Sequence, residues 1–292
     1  MELIKEKKIA AGVSIFSNAC LIILKLILGF ISGSISVISE ALHSLGDLIA
    51  SFLAFFSVLL SSKPADSDHP FGHGKYEDLS GFFEALLIIG TAIYIFYVAG
   101  GKIITIMQGE FHKINPDIAC YAMIFSIIIN FFVSAYLFKV AKKSDSLALL
   151  SDAEHLRSDI YTSFGIIFGL ITVKITNLYI FDPIFAIAFG ILIITTGFKI
   201  AKDALNNLLD GSLCEEDKKT IENILKEFQN KNLIEFKTCN TTKLGNKKTI
   251  QLTLLFDKDT SLGQAHKICD EIERTIKEKI QNVLIIIHQE PK

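Results

Sequence analysis

Two stretches of the chain repeat one pattern, Ser-acid-Ala-x-His-x-x-x-Asp. They are Ser39-Glu40-Ala41-Leu42-His43-Ser44-Leu45-Gly46-Asp47 and Ser151-Asp152-Ala153-Glu154-His155-Leu156-Arg157-Ser158-Asp159. Both lie inside long apolar runs. An ionisable side chain in a membrane span costs at least about 2.5 kcal/mol, so such a residue needs a function to explain it. A His and an Asp four residues apart sit one above the other on a single helix face. Two such faces turned toward each other offer two imidazole nitrogens and two carboxylates, from His43, Asp47, His155 and Asp159. That is a tetrahedral set suited to zinc or a similar divalent ion. A lone His or Asp in a span can simply brace neighbouring helices; the same spacing twice argues against that for these four. Glu40 and Asp152 read as helix-end or ligand-orienting groups rather than ligands. Lys25 either neutralises a carboxylate or runs out to an interface.

A second cluster lies in the polar stretch Pro64-Ala65-Asp66-Ser67-Asp68-His69-Pro70-Phe71-Gly72-His73-Gly74-Lys75. Asp66, His69 and His73 have the residue types and closeness of a loop metal site with one coordination position open. Read from its residues alone, the stretch is equally a solvated loop whose glycines permit a turn.

The elements that must position these groups are legible in the composition. The chain has 292 residues, 50% of them hydrophobic and 21% charged, with a mean hydropathy of +0.44. A soluble enzyme rarely averages so apolar. Six runs, approximately 9–30, 35–60, 79–106, 118–140, 147–175 and 180–201, are long enough to cross a bilayer, which takes about 20 helical residues. Ten lysines (5, 7, 8, 63, 75, 139, 142, 143, 199 and 202) flank one side of the runs, and three (102, 113 and 174) flank the other. That bias predicts both termini in the cytoplasm. Spans two and five then run in opposite directions, and their His-x-x-x-Asp pairs face each other near mid-membrane.

Charge gathers after residue 210, which predicts a transmembrane domain over 1–208 and a cytoplasmic domain over 209–292. The second domain reads as helix, strand, strand, helix, strand: an amphipathic helix at 215–228, strands at 233–238 and 249–256 around a turn-rich 240–247, a helix at 262–280 and a closing strand at 283–288. At about 80 residues it has a modest core and gains from a partner subunit. The fold class is therefore an α-helical membrane protein with six transmembrane helices and a C-terminal α+β domain. The net charge of -2 argues against a nucleic-acid partner. Cys20, Cys120, Cys214, Cys239 and Cys269 contain no CxxC pair, which disfavours a disulfide framework or a zinc ribbon.

Taken together, these residues make the chain resemble the cation diffusion facilitators, membrane antiporters that export divalent metals in exchange for protons. The likeness covers nearly the whole length: six spans, the paired motifs, the Pro64–Lys75 loop, and the ending Ile286-Ile287-His288-Gln289-Glu290-Pro291. The resemblance implies an intramembrane transport site on His43, Asp47, His155 and Asp159, and a loop site on Asp66, His69 and His73. It implies a metallochaperone-like, dimerising and metal-sensing cytoplasmic domain, in which His266, His288 and Glu290 match ligand positions. Lys237 and Thr253 stand where zinc-transporting relatives with a binuclear site have histidines. A reduced site of His266, His288 and Glu290, with Cys239 nearby, is the corresponding expectation; the alternative makes His288 and Glu290 ordinary strand-end groups. Lys75 and Asp210 match an interlock near the dimer axis.

The expectation is a homodimeric secondary transporter in the lipid bilayer of the plasma (inner) membrane, with divalent metal ions and protons as its partners. Zn2+ is expected as substrate and ligand, with no separate cofactor; iron(II), cadmium or cobalt are the alternative cargoes. A metal-sensing scaffold without transport is the alternative activity. There is no Gly-x-x-x-x-Gly-Lys-[Ser/Thr] motif for ATP and no His-Glu-x-x-His run for a metalloprotease.

Overall fold

The computed structural model describes the backbone of residues 2–32, 35–108, 117–176, 178, 180–232 and 235–292. Side chains are described for these except at 28–32, 35–43, 117–123, 166, 169–170, 173–174, 182 and 230–232. The chain divides into two compact units. One comprises Met1–Pro64 and Tyr76–Ala204, the other Ala65–Lys75 and Leu205–Lys292.

The first unit is helical: α1 (Glu2–Ser32), α2 (Ile35–Ser61), α3 (Lys75–Met107), α4 (Asp117–Ser144), α5 (Leu147–Thr176) and α6 (Phe181–Leu208). The six transmembrane helices extend beyond the apolar runs, because polar ends such as Glu2–Lys8 keep helical hydrogen bonding outside hydrocarbon. Among the described residues, five windows are apolar and long enough to cross a bilayer: Glu2–Ile27, Ser44–Ser61, Lys75–Met107, Ile124–Ser144 and Pro183–Leu208. The helix α5 matches them in length but carries Asp152, Glu154, Arg157 and Asp159. Its lower hydropathy is the signature of the site it holds.

Small residues let the helices approach. Ala10 and Ala11 of α1, Val58 of α2, Leu137 and Ala141 of α4, and Ala148, Ala153 and Leu156 of α5 form one buried cluster. Ala85, Ile88 and Ala92 of α3 pack with Ile193, Ile200 and Ala201 of α6 in a second. The small residues matter here because lipid tails are as apolar as leucine, so association rests on close packing. Gly197 shows how close: a Cβ there would lie 2.8 Å from Ile89.

The second unit contains α7 (Glu215–Asn232), β1 (Glu235–Leu244), β2 (Lys247–Phe256), α8 (Leu262–Lys279) and β3 (Val283–Pro291). β2 lies between β1, which it pairs antiparallel, and β3, which it pairs parallel. Alternation along β2 buries Ile250, Leu252, Leu254 and Phe256 against Ile221, Ile224 and Leu225 of α7 and Cys269, Ile272 and Ile276 of α8. Ser261 and Gln264 form a capping box that starts α8. The turn-rich reading of 240–247 is corrected. β1 continues to Leu244, with Asn240 opposite Gln251 and Thr242 opposite Thr249. Cross-strand pairing stabilises these polar residues in the extended state despite their weak strand propensity. The turn is Gly245-Asn246 alone, with Gly245 at φ +63°, matching a two-residue hairpin with glycine first.

Candidate metal sites

In the first unit the two repeated motifs place Asp47 on α2 and His155 and Asp159 on α5. One donor atom from each lies within 4.8 Å of the others. The Asp47 Oδ1 and His155 Nε2 atoms are 3.3 Å apart. His155 is buried, and the Asp47 side chain is only 13% exposed. The His43 and Glu40 side chains lie outside the described residues; the backbone places His43 one helical turn before Asp47 on α2. The three described groups offer a nitrogen and two carboxylates, a set that takes a partly dehydrated divalent cation.

Neighbouring polar groups hold this arrangement. Asn18 of α1 donates to Ser51 Oγ at 2.8 Å and to the Asp47 carbonyl at 3.5 Å. Ser51 in turn donates to Asp152 Oδ1 at 3.2 Å. Asp152, three residues before His155 on α5, is not among the clustered donors. Lys25 is buried and donates to Ser44 Oγ at 2.7 Å, so its side chain turns inward rather than to an interface. Arg157 pairs with Glu154 at 3.0 Å and stacks over the Phe138 ring at 4.2 Å, which accommodates a third charge on α5.

In the second unit Asp66, His69 and His73 also bring one donor atom each within 4.8 Å. Asp66 Oδ1 accepts from the backbone N–H of His69 at 2.7 Å and from that of Asp68 at 3.1 Å. The His69 backbone N–H first, and then the His69 side chain and the nearby His73, hold the Asp66 carboxyl below its ordinary pKa. His69 Nδ1 is 3.2 Å from Asp66 Oδ1, and His73 Nε2 is 3.4 Å from Asp66 Oδ2. The imidazole rings lie 4.4 Å apart between centroids. One carboxylate thus brackets two imidazoles, a geometry a divalent ion can complete.

Lys75 Nζ donates to Asp210 Oδ1 at 3.0 Å and to the Leu208 carbonyl at 3.2 Å. Asp210 sits at φ +57°, the left-handed residue that ends α6. A cation at that helix C-terminus also meets the negative end of the dipole.

The third set is not gathered. Among the described residues His266 faces Asp270 on its own helix at 3.7 Å, while His288 Nε2 lies 3.6 Å from Glu290 Oε1. Lys237 donates to Glu290 Oε2 at 2.9 Å. Thr238 and Thr253 share a hydroxyl hydrogen bond at 2.9 Å.

Sequence reasoning missed buried carboxylates on α3, among them Glu84 and Glu77. Glu84 of α3 is fully buried and accepts from Ser80 and Ser151. The signal was present: it is a carboxylate within the third apolar run. Glu77, two turns earlier, is buried with Lys7 and accepts from Ser61 and Ser146.

Comparison with known proteins places these sites in context. Residues 11–209 match the family described as "Cation efflux transmembrane domain", and residues 213–292 match "Cation efflux protein, cytoplasmic domain". An uncharacterized transporter of Synechocystis is 28% identical, over 89% of this chain and 83% of its own. The cation-efflux pump FieF of Pectobacterium atrosepticum is 26% identical, over 93% of this chain and 88% of its own. The uncharacterized transporter YdbO of Bacillus subtilis is 27% identical, over 99% of this chain and 97% of its own. With residues 11–209 and 213–292 matched and helices long enough to span a bilayer, the chain is an integral membrane transporter belonging to the cation efflux, or cation diffusion facilitator, family.

Proposed function

We propose that the protein exports zinc from the cytoplasm in exchange for protons. The observation that carries this reading is the convergence of Asp47, His155 and Asp159 within otherwise apolar helices. His43, one turn from Asp47, is assigned as the fourth ligand by the repeated motif. Two imidazoles and two carboxylates favour zinc over manganese, which prefers an all-oxygen site.

The transport site binds metal from the cytoplasm when the helices open inward, and its four side chains replace the water shell. Rearrangement to an outward-open state exposes the ion on the other side. Imidazole coordinates only when neutral, so protonation of His43 and His155 competes with metal. An acidic exterior therefore ejects the ion, and deprotonation into the cytoplasm completes the cycle.

In this reading residues 1–208 form the transmembrane domain and 209–292 the cytoplasmic domain, through which two copies pair. Asp66, His69 and His73 form a second metal site in the loop. His266, His288 and Glu290 contribute a reduced metal-sensing site, and Lys75 with Asp210 forms an interlock. The protein resides in the inner membrane with both termini cytoplasmic.

The test is metal uptake into proteoliposomes under an imposed pH gradient, across zinc, cadmium, cobalt, iron(II) and manganese. Zinc uptake that rises with the gradient is expected. Manganese preference, or no flux of any ion, would overturn the reading.

A further inference from the structure

Glu84 lies on α3, outside both repeated motifs, yet it is fully buried. Ser80 Oγ donates to its Oε1 at 3.1 Å, and Ser151 Oγ of α5 donates to its Oε2 at 2.7 Å. Gly81 explains how α3 comes so near α5: a Cβ there would lie 3.0 Å from Leu147 Cγ. Among the described residues no cation pairs with Glu84. The charged groups within electrostatic reach of it are Asp152 and His155, both on α5.

Asp152 is also fully buried. Its Oδ1 accepts from Ser51, and its Oδ2 has no hydrogen-bond partner among the described residues. Asp152 follows Ser151, the donor to Glu84, and lies within electrostatic reach of Glu84, Asp47 and His155. Two fully buried carboxylates within electrostatic reach of each other, with serine hydroxyls as their hydrogen-bond partners among the described residues, do not both stay ionised.

We propose that Glu84 is the proton-carrying carboxyl of the transport cycle, and that Asp152 links its proton electrostatically to the metal at the transport site. This rests on the antiport reading above. Without metal, Glu84 is a neutral acid, because Asp152 and the site carboxylates already load the region with negative charge. A divalent ion bound by Asp47, His155 and Asp159 offsets that charge. The Glu84 O–H bond then breaks, the electron pair stays on the carboxylate, and the proton leaves to cytoplasmic water. When the metal departs to the exterior, Glu84 takes a proton again. At Glu84 metal and proton thus exclude each other without sharing a ligand, alongside the competition at the site imidazoles.

The experiment uses the full chain in proteoliposomes with zinc and pH reporters, comparing wild type, Glu84→Gln and Glu84→Asp. The amide can accept from one serine and donate to the other, but it cannot ionise. Zinc–zinc exchange without a pH gradient is expected to stay within about twofold of wild type, because no ligand has changed. Zinc-driven proton movement is expected to fall by about one proton per zinc moved, because the titrating carboxyl is gone. Glu84→Asp is expected to restore it in part. In detergent, calorimetry in buffers of different ionisation enthalpy is expected to show about one proton fewer released per zinc bound by Glu84→Gln. Unchanged proton movement and release in Glu84→Gln would overturn the proposal alone. Exchange lost together with coupling, in a variant that elutes like wild type, would overturn it in favour of a structural role. A wild type that moves zinc without protons would instead overturn the antiport reading on which the proposal stands.

Discussion

Gly74 and Gly245 meet backbone to backbone. A Cβ on Gly74 would lie 2.4 Å from the Leu244 carbonyl oxygen, and one on Gly245 would lie 2.5 Å from the Gly74 carbonyl oxygen. The loop that carries Asp66, His69 and His73 is thereby pinned to the hairpin joining β1 and β2. Gly245 is held to glycine twice over, since its φ of +63° is also the left-handed region. Replacing Gly74 by Ala is expected to push the loop off the hairpin, at about 1–3 kcal/mol. Metal affinity of the loop site should fall, while the transport site keeps its own. Separate zinc titrations of Gly74→Ala in the presence and absence of an Asp47→Ala change will show whether the loop alone is affected.

The intramembrane carboxylates should be indispensable. Asp47 and Asp159 supply charge that imidazole cannot, and loss of either leaves a dication incompletely neutralised in a medium that solvates it poorly. Asp47→Ala and Asp159→Ala are each expected to lower zinc affinity by more than about 100-fold, beyond what loss of a merely supporting group does. Zinc flux should vanish while the elution volume of the purified protein stays unchanged. Near-normal flux in either variant would remove that residue from the site.

Selectivity should follow the histidines. His43→Asp makes the site harder and more anionic, which is expected to admit cadmium or iron(II) more readily relative to zinc. Competition of each ion against zinc flux measures the change. The same ranking in wild type and variant would place selectivity elsewhere.

The Lys75–Asp210 pair gives a pH-dependent prediction. The hydrogen bond from Lys75, helped by its charge and by Thr242, holds the Asp210 carboxyl below its ordinary value. A lowered folded-state pKa means that the contribution is complete above the unfolded value, near 3.9, and is lost as pH falls through the lower folded one. Lys75 is 38% and Asp210 61% exposed, so water screens the pair and it is worth about 0.2–1 kcal/mol at most. Lys75→Ala is expected to lower the melting temperature slightly at pH 7 and not at all well below pH 3.9. A deficit that persists at the acidic end would show that Lys75 acts through the Leu208 carbonyl alone.

What was legible in the sequence was local. The repeat of His-x-x-x-Asp settles which face of a helix each pair shares, because four residues make about one turn whatever surrounds them. Asp66, His69 and His73 are likewise close in sequence, so a short loop suffices to gather them. Contacts between distant segments were not legible. Nothing in the run Asn240–Leu244 announces that it continues β1, since its polar residues are stabilised by β2 across the ladder. Glu84 was legible as a carboxylate in an apolar run, but its partner was not: Ser151, which donates to it, lies 67 positions away. That residues 65–75 group with the second unit follows from two glycines distant in sequence, whose spacing carries no period to read.

The cytoplasmic domain offers the last test. Lys237 occupies one oxygen of Glu290 at 2.9 Å, and its hydrogen bond and charge hold that carboxyl below its ordinary pKa. An ammonium already sits where a metal would draw on the same carboxylate, so His288 and Glu290 should bind zinc weakly in the wild type. Lys237→Ala frees the oxygen and removes a positive charge from beside it. Zinc affinity of the domain is expected to rise, because the freed carboxylate oxygen becomes available to the metal and a repelling charge is gone. The readout is the zinc-dependent rise in melting temperature, which mass action makes about 2.7 kcal/mol at a hundredfold excess over the dissociation constant. Asp47→Ala is made in the same chain, so that the transport site does not contribute to the rise. Adding His266→Ala and His288→Ala together should abolish the gain, since only these imidazoles complete the set with Glu290. A gain that survives their loss would show that the metal is held elsewhere. No gain on freeing Glu290 would mean that the Lys237 pair is merely a strand-end contact, and that the domain carries no metal-sensing site at these residues.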